Sequence, residues 1–245
     1  MSGPASTDGV CPASFERELR LLFALLLLIA VAAIMFADDP INILLDAGWV
    51  YVGLLLVIVT RRRFPLTPLL YGLMFFHSLV LLSGGFWTYE AMPVGVWVQE
   101  LLGTERNHYD RFGHFLQGFV PAILFRELFL RCSPVQRGGW LVYFVLTSCL
   151  AFSALFELME WWATLLSGTS TNAFLGHQGD IWDAQWDMIW AIVGAVAAML
   201  LLSRLHDRSL GRIFRSRLCQ RRHAGQRDRR VDGFESRTCL VRCLR

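Results

Sequence analysis

Asn107, Asp110, His114 and Gln117 stand at steps of three, four and three within residues 107–121. On a helix that spacing gathers them on one face. Phe112, Phe115 and Phe119 fall on the opposite face, suited to lipid or to a neighbouring helix. Two more polar stretches sit in apolar surroundings. Residues 156–162 carry Glu157 and Glu160, and residues 176–187 carry His177, Gln178, Asp180, Asp183 and Asp187. Carboxylates and imidazole together are oxygen and nitrogen ligands for Zn²⁺, Mn²⁺ or Mg²⁺. They are also the groups of general acid–base work. His114, Glu157, Glu160 and Asp183 are the candidate metal ligands. Asp110, His114, Glu157 and Asp183 are the candidate catalytic groups. Arg111 is placed to clamp a phosphate, with Gln117, Gln178 and Asp187 as further substrate-binding candidates. The spacing matches no established metal motif.

The elements that must position these residues are membrane helices. Hydrophobic residues make up 55% of the 245-residue chain and charged residues only 18%, too apolar for an ordinary soluble domain. Apolar runs of about 17–25 residues, enough to cross a bilayer, recur along the chain. The expected fold is an all-α integral membrane protein of about six transmembrane helices in one bundle. Its spans are read at 19–36, 41–60, 69–86, 112–130, 140–163 and 182–202. Residues 87–106, with Trp87 and Trp97, form an interfacial or re-entrant segment too short to span. A cleaved signal peptide is the rival reading of the first run, but its lead has no net positive charge. Residues 1–18 are a polar lead, 19–203 the membrane domain, and 204–245 an Arg-rich tail expected to be disordered or to lie on anionic lipid.

All of the Lys+Arg 23 are Arg, and they are bunched. With six spans, Arg61 to Arg63, the group Arg126, Arg131 and Arg137, and the tail share one side, while Asp38, Asp39, residues 87–106 and the 168–180 loop share the other. The positive-inside rule then puts both termini in the cytoplasm. It also brings the ionisable residues of spans four, five and six to one level at the outer leaflet. Charges at that level cost several kcal/mol unless paired, hydrated or bound to a ligand. Arg106 and Arg111 offer a purely structural alternative, an ion-pair lock, yet the acids outnumber them. His77, alone in the third span, reads as a core histidine. Trp161, Trp162, Trp182, Trp186 and Trp190 read as an interfacial belt. Gly176 and Gly179 read as turn glycines, and Arg126 with Glu127 as a local charge pair at the membrane surface. The six cysteines show no disulfide or zinc spacing, with Cys149 placed in a helix core. Nothing in the tail resembles a nucleic-acid-binding module.

The segments NHYDRFGHFLQGFVPA, FELMEWW and FLGHQGDIWDAQWDM resemble the YjdF-type family of bacterial inner-membrane proteins, over roughly residues 20–205. A more distant likeness is to VanZ-like membrane proteins, carried by Asp110 with His114, Glu157 or Glu160, and Asp183 or Asp187 with Gly194. The resemblance implies a multi-pass protein of the bacterial inner membrane and supplies no reaction. Three functions stay open at this point. One is a lipid-modifying enzyme acting at the outer leaflet, with a divalent metal as cofactor and membrane lipids as partners. The second is a small transporter or cation/proton-binding protein, with Asp187 and Gln117 lining its pathway. The third is an accessory protein whose cluster only locks helices.

Overall fold

The structure, a computed structural model, describes residues 12–37, 43, 44, 46–167 and 178–228. Side chains are described between residues 17 and 213 of these ranges, residue 167 excepted. The start of the polar lead, Asp38 and Asp39, Gly176, His177 and the last residues of the tail lie outside the described residues.

Among the described residues seven helices follow one another: α1 (Pro12–Phe36), α2 (Gly48–Thr60), α3 (Pro68–Trp87), α4 (Pro93–Leu102), α5 (Tyr109–Cys132), α6 (Gly139–Ser167) and α7 (Asp183–Asp228). Among the described residues four segments are long and apolar enough to cross a bilayer, namely Arg17–Phe36, Pro68–Trp87, Gly139–Leu166 and Asp183–Ile213. At 24 residues α5 has the length too, but it carries a row of charged side chains.

α2 is shorter than the sequence suggests. Its 13 residues rise about 20 Å. The chain leaves helical geometry at Ala47, with φ −103° and ψ 11°, between a buried Asp46 and Gly48, a poor helix former. α3 starts sharply because the Thr67 side chain accepts from the Leu70 amide and Pro68 occupies the first turn. α4 is the short segment expected not to span. It opens on Pro93, closes at left-handed Gly103 with φ 64°, and leaves Trp97 62% exposed.

The closest packing in the molecule joins α5 to α7. A Cβ on Gly118 would overlap the backbone carbonyl of Ala191, and one on Gly194 would overlap that of Phe115. Ala191, Ala195 and Ala198 continue the seam with no exposed surface. Small residues at this spacing let two backbones touch, the ordinary means of helix association where lipid removes the hydrophobic drive. α6 closes the other side through Val145, Cys149 and Ser153, all fully buried, with Cys149 Sγ 3.7 Å from the Gly118 carbonyl.

At the arginine-rich end of the bundle the structure corrects two expectations. Arg126 and Glu127 are not a surface pair; they are 3% and 0% exposed. The Glu127 carboxylate accepts from the Thr67 amide at 3.1 Å, from Thr67 Oγ1 at 2.8 Å, from His206 Nε2 at 3.0 Å, and from Arg131. Arg126 donates to His206 Nδ1 and to Asp207 Oδ1, each at 2.8 Å. An arginine cannot accept, so His206 Nδ1 must, and its proton sits on Nε2 facing Glu127. Arg131 also donates to the Pro65 carbonyl at 2.8 Å and lies over the Phe64 ring. Nor does the tail begin at residue 204. α7 runs on unbroken to Asp228, and His206, Ser209 and Leu210 are buried. Composition changes at Ser203, but arginines spaced along a helix leave one face free to pack.

Two predictions follow from this packing. Glu127→Ala removes four donors' acceptor and should cost about 3–5 kcal/mol. Truncation after Ser203, which deletes His206 and Asp207, should lower the melting temperature in detergent comparably, and truncation after Leu210 should not. Equal melting of the two truncated proteins would show that the buried network does not hold α7. Separately, Gly118→Val should force α5 from α7 and cost at least the roughly 1–3 kcal/mol of an overpacked core. A wild-type melt for that variant would contradict the backbone contact.

Candidate functional site

Five residues past the α5 N-terminus, His114 is 6% exposed and is met from three directions. Its Nδ1 lies 2.8 Å from Gln117 Oε1, one helical turn on. An amide oxygen accepts only, so Nδ1 carries the proton and donates. The other nitrogen, Nε2, then points its lone pair at two carboxylates. Asp110 Oδ1 is 3.5 Å away, one turn back on α5, and Asp187 Oδ2 is 3.9 Å away on α7. A lone pair facing two carboxylates repels them unless a cation or a proton lies between.

Asp110, His114 and Asp187 each offer a ligand atom within 4.8 Å of the others, and all three are buried. Ligand atoms bound at about 2.1 Å around one small divalent ion stand roughly 3–4 Å apart, which the 3.5 and 3.9 Å distances from His114 match. The Gln117 contact is of the kind that orients a metal-binding imidazole through its second nitrogen. Asp187, 2% exposed, has an Oδ1 with no hydrogen-bond partner. Glu157, from α6, is 3.6 Å from His114 Nδ1, too far for a hydrogen bond, and its Oε1 is likewise unbonded. Glu160, one turn further, lines the adjoining cavity.

A second layer of charge lies between this group and the α4 end of the bundle. Arg106 reaches Asp183 Oδ1 at 2.5 Å and Asp110 Oδ2 at 3.4 Å. Arg111 reaches Asp180 Oδ2 at 3.1 Å and lies 5.5 Å from the Trp186 ring centre. Asp183, expected among the ligands and catalytic groups, is engaged by Arg106, and Asp187 is the α7 carboxylate that faces His114 Nε2. Arg111, expected to clamp phosphate, has Asp180. Gln178 exchanges hydrogen bonds with the Asn107 backbone at 2.9 and 3.0 Å, fastening the 178–183 turn rather than facing the cluster. Asn107 is itself a fastener. Its side chain donates to the Glu90 carbonyl, accepts from the Tyr109 amide, and sits where a Cβ on Gly95 would be.

Beside the cluster a cavity of about 400 Å³ runs between α1, α2 and α3 on one wall and α5 and α6 on the other. Its lining is almost wholly apolar except at the cluster end, where His77, Tyr89, Asp110, His114, Gln117 and Glu160 face it. His77 Nε2 has no hydrogen-bond partner. Tyr89 is the residue that reading the sequence overlooks. Its ring lies on two glycines, so that a Cβ would come within 2.6 Å of it at Gly84 and 3.3 Å at Gly113. The preceding Thr88 holds a positive φ of 64°, unusual for a β-branched residue and a strained way to turn the chain inward. Burial first, then the charges of Asp46 and Asp110, hold the Tyr89 phenol well above its usual pKa, so it remains a proton donor. Gly84, five residues ahead of Tyr89, was the available signal.

Comparisons with known proteins agree with this architecture. The chain matches the family described as predicted membrane protein (DUF2238) over residues 19–208. It is 46% identical to the inner membrane protein YjdF of Escherichia coli (strain K12) over 176 residues, which cover 72% of this chain and 84% of that protein. No solved structure matches it. Built from apolar helices around a buried Asp/His cluster, the chain belongs to the DUF2238 family and is a multi-pass protein of the inner membrane.

Proposed function

We propose that this protein binds a divalent metal ion within the membrane, through Asp110, His114 and Asp187, and uses it on the polar head of a lipid or lipid-linked molecule. The observation that carries the reading is the His114 imidazole. Gln117 fixes its proton on Nδ1, and Nε2 is left facing two buried carboxylates, one of them with an unbonded oxygen. A metal there would neutralise the carboxylates and lower the pKa of a bound water or polarise a phosphoryl oxygen. Glu157 and Glu160 stand within reach as base or further ligands, and Tyr89 as a proton donor. Arg106, Arg111, Asp180 and Asp183 hold the helices together around the site.

The proposal includes the topology. We read six spans, counting the short α2 and the charged α5, with both termini cytoplasmic. Arg126, Arg131, Arg137 and the basic part of α7 gather at one end of the bundle, the end that the positive-inside rule assigns to the cytoplasm. The cluster then opens near the extracytoplasmic leaflet.

The test is thermal melting of the purified, chelator-treated protein in detergent with Mn²⁺, Zn²⁺ or Mg²⁺. One of these should stabilise wild type, by about 2.7 kcal/mol at a hundred times its Kd. Asp187→Asn and His114→Ala should abolish the gain while costing little stability without metal. Arg106→Met should melt lower yet keep the gain, because it breaks the lock and not the site. If no metal shifts wild type and His114→Ala melts far lower, His114 is an imidazolium locking three carboxylates, and the structural reading replaces this one.

A further inference from the structure

We propose that the 400 Å³ cavity takes a single hydrocarbon chain of the lipid whose head group reaches the His114–Asp187 cluster, so that the substrates are amphiphiles presented from within the bilayer. This rests on the head-group reading above. Three observations lead to it. First, the cavity is almost wholly apolar along α1, α2 and α3, with Phe23, Leu54 and Met74 among its walls, and its ionisable groups gather at the cluster. That is the polarity of an amphiphile, repeated once and in the right order. Secondly, Val52 and Leu56 belong to its lining and are 48% and 57% exposed. On a membrane helix such residues face lipid, so the mouth opens to acyl chains rather than to water.

Thirdly, the volume decides among occupants. A helix about 10 Å across fills 400 Å³ within roughly one turn, so a spanning helix of a second copy or partner does not fit. At about 30 Å³ per unit, the share of a water molecule and close to that of a methylene, 400 Å³ holds about 13 units. That is most of one hydrocarbon chain and not two. A second chain of the same lipid would have to remain outside, in the bilayer. Filling the cavity with water is disfavoured because polar partners exist only at its cluster end.

Two glycines make the experiment clean. Gly53 lines the cavity and Gly72 does not, and a Cβ on either meets nothing within 4 Å. Gly53→Phe should therefore put bulk into the cavity with no clash at Cβ, and Gly72→Phe adds the same bulk elsewhere. The probe is a single-chain phosphatidylglycerol with a diazirine in its chain, added to protein in nanodiscs with Mn²⁺. After irradiation, peptide mass spectrometry should find adducts at Leu54, Met74 and Phe125 in excess over the outward-facing Leu200 and Leu201, which are 79% and 70% exposed. Gly53→Phe should lose the excess and Gly72→Phe should keep it. An excess that persists in Asp187→Asn and ignores Mn²⁺ supports the chain site while removing the metal-held head group. Uniform labelling of wild type, or an excess that Gly53→Phe leaves intact, overturns the proposal whatever the metal does.

Discussion

The contact on which everything else depends is the touching of two backbones, α5 at Gly118 against α7 at Ala191, and α7 at Gly194 against α5 at Phe115. Side chains of ordinary size at these positions would hold the helices roughly 8–10 Å or more apart. Glycine removes that spacer, and the residues one turn towards the cluster, His114 and Asp187, are brought to within 3.9 Å. Neither residue is special alone. A histidine on a helix becomes a metal-ligand candidate only when a carboxylate from another helix arrives at the same depth, and the seam of Gly118, Gly194 and Ala195 sets that depth.

Charge is then sorted by layer. Nearer α4, arginines and aspartates pair off, and their pairing needs nothing from outside the protein. One turn deeper, Asp187 and Glu157 retain unbonded oxygens around a single imidazole. Asp110 joins the layers, with one oxygen towards Arg106 and the other towards His114. This arrangement explains how one cluster reads at once as an ion-pair lock and as a ligand site. The outer layer keeps the helix ends in register, and the inner layer is left with more carboxyl groups than basic partners.

Much of this was legible in the residues alone. Periodicity placed Asp110, His114 and Gln117 on one face, and hydropathy with arginine bunching gave the order of helices and their grouping by end. Pairing across helices was not legible. Asp183 and Asp187 are one turn apart on the same helix and look equivalent in sequence, yet which of them meets Arg106 depends on the rotation of α7, which the glycine seam determines. Glu127 next to Arg126 suggested a local pair because neighbours in sequence are easy to match, whereas adjacent residues on a helix point apart and each found its partner some 80 residues away, in His206 and Asp207. The break at Ala47, beside a buried Asp46, leaves no trace in composition. Tyr89 was hidden because a tyrosine after a helix end ordinarily reads as an interfacial anchor.

The buried Glu127 has a consequence for how the chain is made. When α5 leaves the ribosome it carries Arg126, Glu127 and Arg131, and the His206 and Asp207 that satisfy them have not yet been synthesised. Lipid offers such a helix no partner for its charges. Until α7 appears, the partners already made for Glu127 and Arg131 are Thr67 and Pro65. The network around Glu127 is thus completed by the last helix of the chain, since His206 and Asp207 are supplied by α7.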